Sequence, residues 1–212
     1  MKKYSVFSLI QNAFNGHQNW DVAWRDPEPK KEYDAIIIGG GGHGLATAYY
    51  LAKDYGIRNI AIVEKGWIGG GNIGRNTTIL RSNYMHDDNN LNYDHGMQMW
   101  RDLSQELNYN VMYSPRGILN LAHSDAQMNA YSRRGNSMCL NGIEASLLGR
   151  EEVKKIIPFA DYSENARFPI FGGLMQPIGG TARHDAVAWG YARAADDLGV
   201  DIIQHCEVLG FN

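Results

Sequence analysis

The chain has 212 residues, of which 44% are hydrophobic and 20% are charged, and its formal net charge at pH 7 is −3. This composition is typical of a globular protein and excludes a disordered or fibrous chain. The slight negative charge, without a basic stripe, argues against a nucleic-acid-binding surface. No apolar run approaches the roughly 18 residues of a membrane helix, and the N-terminus lacks the features of a secretory signal.

Two cysteines, Cys139 and Cys206, lie far apart and lack metal-ligand spacing. They predict reduced thiols in a cytoplasmic protein without a metal site. Residues 1–33 form a polar arm with scattered aromatic residues. Pro27 and Pro29 exclude a regular helix or central strand around them. We expect this arm to lie on a protein surface, either of this chain or of a partner.

The first regular elements are predicted just after the arm. The β-branched run Ala35–Ile38 predicts a strand buried on both faces. After a run of glycines, the apolar spacing predicts a helix over His43–Asp54, which Gly56 ends. A second buried strand is predicted over Asn59–Glu64. Together these segments predict a right-handed parallel βαβ unit.

The rest of the chain predicts a mixture of helices and strands. We expect no regular element over residues 66–83, and a loop or short strands over 169–182. Trp100 and Trp189 are expected in the core. Further strands are predicted over 117–122 and 200–208. Further helices are predicted over 90–107, 151–157 and 186–198. One more helix is predicted from a capping box at Ser124 and Gln127 to Asn141–Gly142.

The glycine-rich turn of the βαβ unit carries a dinucleotide-binding pattern. Gly39, Gly41 and Gly44 fit G-x-G-x-x-G between a strand and a helix, and Glu64 ends the second strand. Gly39 permits the tight turn, Gly41 lets the backbone approach a pyrophosphate, and Gly44 allows close packing of helix and strand. The helix N-terminus favours phosphate. Glu64 would accept hydrogen bonds from ribose hydroxyls and repel a 2′-phosphate, which favours FAD or NAD over NADP.

The alternative is a structural glycine-rich turn that binds no ligand, but the presence of every part of the motif spacing argues against it. His43 within the loop is more typical of a polar space-filling residue than of a catalytic group. We nevertheless include it among the residues that line the cofactor.

Several separated segments resemble known flavoproteins. Gly70–Ser82, with the sequence GGNIGRNTTILRS, is similar to the second FAD segment of the D-amino-acid-oxidase-like flavoproteins, in which it runs under the flavin. The segment Gly179–Trp189, with the sequence GGTARHDAVAW, resembles the family of beta subunits of heterotetrameric sarcosine oxidases. Pro27–Asp34 and Gly199–Gln204 resemble the same family. The resemblance extends from about Trp24 to the last residue.

The resemblance implies a sequence of redox steps and a set of partners. FAD is bound noncovalently, sarcosine is oxidised at the FAD, and electrons pass to an FMN linked covalently to His184, which reacts with oxygen. The products are glycine, hydrogen peroxide and formaldehyde or methylenetetrahydrofolate. The partners are alpha, gamma and delta subunits, with folate bound on alpha. The predicted FAD-binding residues are Gly39, Gly41, His43, Gly44, Glu64, Asn72, Arg75, Thr77 and Ile79, with Val208 near the adenine.

Two further residues have both a functional and a structural interpretation. Arg81 is a permanent cation that could hold a substrate carboxylate in a bidentate pair, the role that the resemblance implies, or could form a structural salt bridge. From its residue type alone, His184 is a capping or core histidine, and only the resemblance makes it the FMN attachment site. Asp185 is expected to steady the imidazole, and Arg183 to lie near a flavin phosphate or a partner subunit.

The expected fold is α/β, with a Rossmann-like FAD-binding domain and an inserted α+β substrate domain. We predict an arm over 1–33, the first part of the FAD-binding domain over 34–89, the first part of the substrate domain over 90–182, and the FAD-binding domain again over 183–212. Only three parallel strands are predicted, and so small a sheet leaves open edges. We therefore expect an N-terminal part of a longer protein, with both domains incomplete and further substrate-site residues outside this sequence.

Two other functions remain open from the sequence. One is a related single-flavin enzyme, such as a dimethylglycine dehydrogenase, a glycine oxidase or a D-amino-acid oxidase or dehydrogenase. The other is a noncatalytic flavin-binding subunit that only supports a partner, against which the joint presence of Arg81 and His184 argues. The exact N-methyl amino acid and the reactivity with oxygen cannot be derived from these residues.

Overall fold

The structure of the protein is a computed structural model that describes residues 5–18, 20, 22–163 and 165–211. The chain divides into two compact units. Unit 1 consists of Met1–Thr78, Leu103–Met112 and Arg183–Asn212, and unit 2 consists of Ile79–Asp102 and Tyr113–Ala182. In sequence, unit 2 is therefore inserted into unit 1.

Helices and strands alternate along most of the described chain. The helices are α1 (Val6–Phe14), α2 (Gly42–Asp54), α3 (Asp87–Glu106), α4 (Asp125–Leu140), α5 (Arg150–Ile156) and α6 (His184–Asp197). The strands are β1 (Ala35–Ile38), β2 (Ile60–Val63), β3 (Ile79–Leu80), β4 (Ile118–Ala122), β5 (Ser146–Gly149), β6 (Gly172–Gln176), β7 (Gly180–Thr181) and β8 (Asp201–Ile203). Asn72–Arg75 forms a short 3₁₀ helix.

Unit 1 is built on a parallel three-stranded sheet with the order β1-β2-β8. Ile36 is opposite Ala61, which in turn is opposite Asp201. The central strand β2 is almost fully buried, and α2 packs against both β2 and α6. The predicted βαβ unit and the α/β fold class are thus confirmed.

Strand β1 differs from the prediction of burial on both faces. Ile36 and Ile38 are 60% and 55% exposed, whereas Ile37 approaches Gly44 of α2. Side chains alternate along a strand, and no element of the described chain covers the face that carries Ile36 and Ile38. Strand β8 is also shorter than predicted, because His205 has a φ of +54°, which ends the extended backbone.

Other expectations were wrong in detail. Residues 66–83 contain the 3₁₀ helix and β3, and β5 was not predicted. Trp100 is partly buried, but Trp189 is 48% exposed and meets Trp24 edge-on, with ring centroids 6.5 Å apart. The buried face of α6 is instead filled by small residues and Tyr191, which leaves Trp189 on its outer side.

The arm is attached to the rest of unit 1 by ion pairs at the start of β8. Asp201 is 1% exposed and lies 2.8 Å from Lys30 Nζ and 3.3 Å from Arg25 Nη2. It also accepts a hydrogen bond from the Tyr33 hydroxyl, and Arg25 pairs with Asp196 at 2.8 Å. One buried carboxylate therefore organises residues 25–33. In contrast, α1 buries none of its residues.

Unit 2 contains an antiparallel sheet with the order β4-β6-β5. Helices α4 and α5 pack on it around a core of Met138, Ile143 and Leu174. The predicted cap of α4 is present, since Ser124 Oγ accepts the N–H of Gln127 at 3.3 Å. The Gln127 side chain, however, accepts from the N–H of His123 rather than closing the box on Ser124. Strands β3 and β7 form a separate antiparallel pair.

No helix within the described ranges is both long and apolar enough to cross a membrane.

The Asp201 ion pairs predict a measurable role in holding the arm. We expect Asp201→Asn to weaken the attachment by roughly 1–2 kcal/mol, because two half-exposed cations and a hydroxyl lose a buried anion. Trypsin should then cleave full-length protein after Lys30 about 5- to 30-fold faster, as measured by mass spectrometry. Asp197→Asn, at an exposed position of α6, is the matched control. An unchanged cleavage rate in Asp201→Asn would contradict this role.

Candidate functional site

The glycine turn between β1 and α2 has the geometry that its sequence predicts. Gly39 has a φ of +106°, which disfavours other residues. A Cβ at Gly44 would lie 2.1 Å from the Gly39 carbonyl oxygen, so this position requires glycine for close packing. At Gly41, in contrast, an added Cβ would meet nothing within 4 Å. The backbone at Gly41 is therefore open to an approaching ligand.

The N-terminus of α2 offers unpaired donors at the same place. Its N-cap is Gly41, which has no side chain to cap the helix. The N–H groups of Gly42, His43 and Gly44 find no acceptor among the described residues. Free N–H groups at the positive end of a helix dipole form a binding site for phosphate groups.

Glu64, at the end of β2, connects the turn to the following loop. Its Oε2 accepts the N–H of Gly40 at 2.7 Å, and its Oε1 accepts the N–H of Gly66 at 2.8 Å. A carboxylate has about four lone-pair sites, so two remain for the hydroxyls of a ribose. The structure thus places Glu64 beside the glycine turn, as the dinucleotide-binding pattern requires.

The loop after Glu64 is held against the glycine turn by backbone contacts. The Gly69 N–H donates to the Gly40 carbonyl at 3.2 Å. The Ile68 N–H donates to Gln204 Oε1 at 2.9 Å. Sequence reasoning missed Gln204. The available signal was a polar residue directly after a parallel strand, at the carboxyl edge where α/β sheets bind ligands.

Apart from the three glycines and Glu64, the predicted FAD-binding residues of unit 1 have exposed side chains. The side chains that are exposed are those of His43, Asn72, Arg75, Thr77 and Val208. Asn76, which was not predicted, shapes their loop: it donates to the Ile73 carbonyl and accepts the N–H of Thr78 at 2.7 Å. Thr78 has a φ of +62°, so Asn76 stabilises an unusual backbone conformation beside Thr77.

In unit 2, Arg81 follows β3, whose first residue, Ile79, is 48% exposed. Arg81 Nη1 donates to Asn83 Oδ1 at 2.7 Å, and its guanidinium carbon lies 4.9 Å from the Tyr84 ring centroid. No carboxylate of the described chain lies within ion-pair distance of Arg81. Within the described residues, Arg81 therefore forms no structural salt bridge.

In unit 1, His184 is the first residue of α6, but the N-cap is Arg183. Its Nδ1 is buried and has no hydrogen-bond partner among the described residues. Asp185 does not steady the imidazole as predicted, because it accepts from Arg183 Nε at 2.9 Å and from the Ala186 N–H. The hydrogen-bonded Arg183 lowers the pKa of Asp185 to about 2. Asp185 therefore stays paired with Arg183 across the neutral range.

A parallel βαβ unit, a glycine turn at a helix N-terminus and an acidic residue after the second strand define a Rossmann-like dinucleotide-binding protein. The family model described as FAD dependent oxidoreductase (DAO) matches residues 34–212. The chain belongs to this family.

Individual relatives agree with the family. Sarcosine oxidase subunit beta from Rhizobium meliloti (strain 1021) is 61% identical over 208 residues, which cover 98% of this chain and 50% of the relative. Glycine oxidase from Bacillus subtilis (strain 168) is 27% identical over 187 residues, covering 85% and 47%. The crystal structure of L-proline dehydrogenase from P. horikoshii has a TM-score of 0.78 at 26% identity, covering 87% and 47%. The chain thus spans about half the length of each of these three proteins.

The open space at Gly41 predicts that a larger side chain there prevents FAD binding without unfolding the protein. Gly41 has a φ of −83° and a ψ of 178°, which suit any residue, so we expect full-length Gly41→Val to fold. Its side chain would occupy the space of the pyrophosphate, and the purified protein should retain less than about a tenth of the wild-type FAD. Flavin absorbance and circular dichroism measure the two effects. Gly96→Val, in α3, is the control. Stoichiometric FAD in Gly41→Val would contradict this site.

Proposed function

We propose that the full-length protein is an FAD-dependent amine oxidoreductase and acts as the beta subunit of a sarcosine oxidase. The observation that carries this proposal is the 61% identity to sarcosine oxidase subunit beta across nearly the whole chain. The glycine turn, the free N–H groups of α2 and Glu64 suit the ADP portion of FAD. The side chains of Asn72, Arg75 and Thr77 are exposed in unit 1 and would extend this binding surface.

The residues of this chain would bind and orient while the flavins supply the redox chemistry. That chemistry is the oxidation of the N-methyl group of sarcosine and the transfer of electrons to oxygen, which gives glycine, hydrogen peroxide and formaldehyde or methylenetetrahydrofolate. Arg81 would hold the carboxylate of sarcosine, since most of its donors face no acceptor among the residues that the structure describes. Unit 1 would be the FAD-binding domain and unit 2 the first part of the substrate domain.

We propose that His184 carries a covalent FMN. Two observations support this proposal. The buried Nδ1 of His184 makes no hydrogen bond in the described chain, and Asp185 is paired with Arg183. His184 would hold the FMN through a bond from an imidazole nitrogen to the flavin 8α carbon; the N–H and an 8α C–H bond would be broken, and the two electrons and two protons released would pass to oxygen as hydrogen peroxide. The proposed partners are alpha, gamma and delta subunits, with folate on alpha, and the proposed location is the cytoplasm.

The second candidate is a single-flavin relative, such as a glycine oxidase or dimethylglycine dehydrogenase. The 27% identity to glycine oxidase from Bacillus subtilis favours it much less than the 61% identity to sarcosine oxidase subunit beta. A covalent FMN would separate the two candidates.

Substitution of Arg81 tests whether this residue binds the carboxylate of sarcosine. We expect Arg81→Lys to raise the KM for sarcosine strongly, since lysine keeps the charge but loses the planar fork. Loss of a bidentate contact corresponds to roughly 1.5–3 kcal/mol, or about 10- to 150-fold in KM. Steady-state kinetics of the holoenzyme would measure it, with Arg133→Lys, at an exposed position of α4, as the control. An unchanged KM would return Arg81 to a structural role.

His184 provides the test of the second flavin. After acid denaturation of the co-expressed complex, we expect FMN to remain on the tryptic peptide that contains His184. His184→Ala should remove this flavin and leave FAD bound at the glycine turn, because the two sites use different residues. Sarcosine should still reduce the FAD, while turnover with oxygen falls. Mass spectrometry that finds an unmodified His184 peptide in a complex active with oxygen would refute the FMN site and favour the single-flavin relatives.

A further inference from the structure

Unit 2 contains a cluster of buried polar side chains directly beside Arg81. Ser82, Asn83, Asn90 and Gln176 are each no more than 1% exposed. Burial of amides and hydroxyls is unfavourable unless they are hydrogen-bonded, so an apolar core would be the simpler way to stabilise this region. Stability alone therefore does not explain why polar side chains are buried together beside Arg81.

The cluster connects the segment that carries Arg81 to two strands of the sheet. Asn83 Nδ2 donates to Asn120 Oδ1 of β4 at 2.8 Å. Gln176 of β6 accepts the Ser82 N–H at 3.2 Å and donates to Ser82 Oγ at 2.6 Å. Because β4 and β6 are paired, with Ile118 opposite Gln176, both connections have one rigid base. The Asn83 amide is therefore held in one orientation, with its oxygen available to Arg81.

The guanidinium of Arg81 is held on one edge and one face. Its edge donates to Asn83 Oδ1 at 2.7 Å, and its face lies over the Tyr84 ring. Tyr84 itself stacks on Tyr93 with centroids 4.4 Å apart, and its N–H donates to Asn90 Oδ1. Burial raises the pKa of Tyr84, so its hydroxyl stays neutral beside the cation. Arg81 has five N–H donors, and the others find no acceptor in the described chain.

We propose that Asn83 is a positioning residue that aims the Arg81 guanidinium at the substrate carboxylate. The inference rests on the proposed function of Arg81. A carboxylate at position 83 would also accept from Arg81 but would neutralise it and compete with the substrate. The neutral amide orients the cation and leaves its charge for the ligand. Preorganisation of this kind reduces the conformational entropy that a long side chain loses when the substrate binds.

A double-mutant cycle in the full-length holoenzyme tests this inference. The variants are Asn83→Ala, Arg81→Met and the double variant, with Asn141→Ala, an asparagine at the end of α4, as the control. Three quantities are measured: the KM and the kcat for sarcosine, and the Kd for acetate from the change in flavin absorbance. Acetate is a carboxylate that cannot be oxidised as an amine, so its binding reports Arg81 without turnover.

We expect Asn83→Ala to raise both the KM and the acetate Kd about tenfold, the effect of roughly one hydrogen bond to a charged group. The kcat should stay within about threefold, because Asn83 does not touch the reacting atoms. In the Arg81→Met background, Asn83→Ala should have no further effect, since the group that it orients is gone. If Asn83→Ala does not fold, Asn120→Ala should show a smaller shift of about threefold that also depends on Arg81.

Three outcomes would overturn the inference. An acetate Kd that depends on Arg81 but not on Asn83 or Asn120 would contradict the positioning role alone. An equal shift with and without Arg81 would show that Asn83 acts only on the surrounding structure. Binding of acetate unaffected by Arg81→Met would contradict the proposed function of Arg81 and, with it, this inference.

Discussion

The hydrogen bonds of the Glu64 carboxylate are the interactions on which the glycine turn of unit 1 depends. Its side chain accepts the N–H groups of Gly40 and Gly66, its backbone N–H donates to the Ile203 carbonyl, and its carbonyl accepts the N–H of Cys206. One residue therefore joins the first glycine turn, the following loop and the end of β8. An anion placed among backbone donors forms strong hydrogen bonds. The same anion offers its remaining lone pairs on the side where the turn is open.

In unit 2, the corresponding charged side chain is a cation, that of Arg81. Arg81 is not matched by a carboxylate in the described chain but is held by a neutral amide and an aromatic ring. A buried ion pair would satisfy the guanidinium and consume its charge, whereas neutral partners fix its position and preserve its attraction for an anion. The four buried polar side chains next to Arg81 are consistent with this division between holding a cation and neutralising it.

Local sequence patterns predicted the parts of the fold that local chemistry determines. Gly39, Gly44 and Glu64 were identified because turn geometry and strand ends depend on near neighbours in sequence. The contacts of Gln204 and Asn83 were missed, since each contacts segments far away in the chain. The exposure of Ile36 and Ile38 had the same origin: β-branched residues predict a strand, but only its neighbours decide which faces are covered.

The placement of β8 has a consequence for biosynthesis. Ile68, just after β2, donates to Gln204, which lies 136 residues later in the chain. At roughly 5–20 residues per second, a ribosome needs about 7–27 s to make the intervening segment. During that interval the glycine turn and β2 have left the ribosome without β8, the strand that pairs with β2. The edge of β2 therefore stays unpaired in the nascent chain, and an unpaired strand edge favours aggregation.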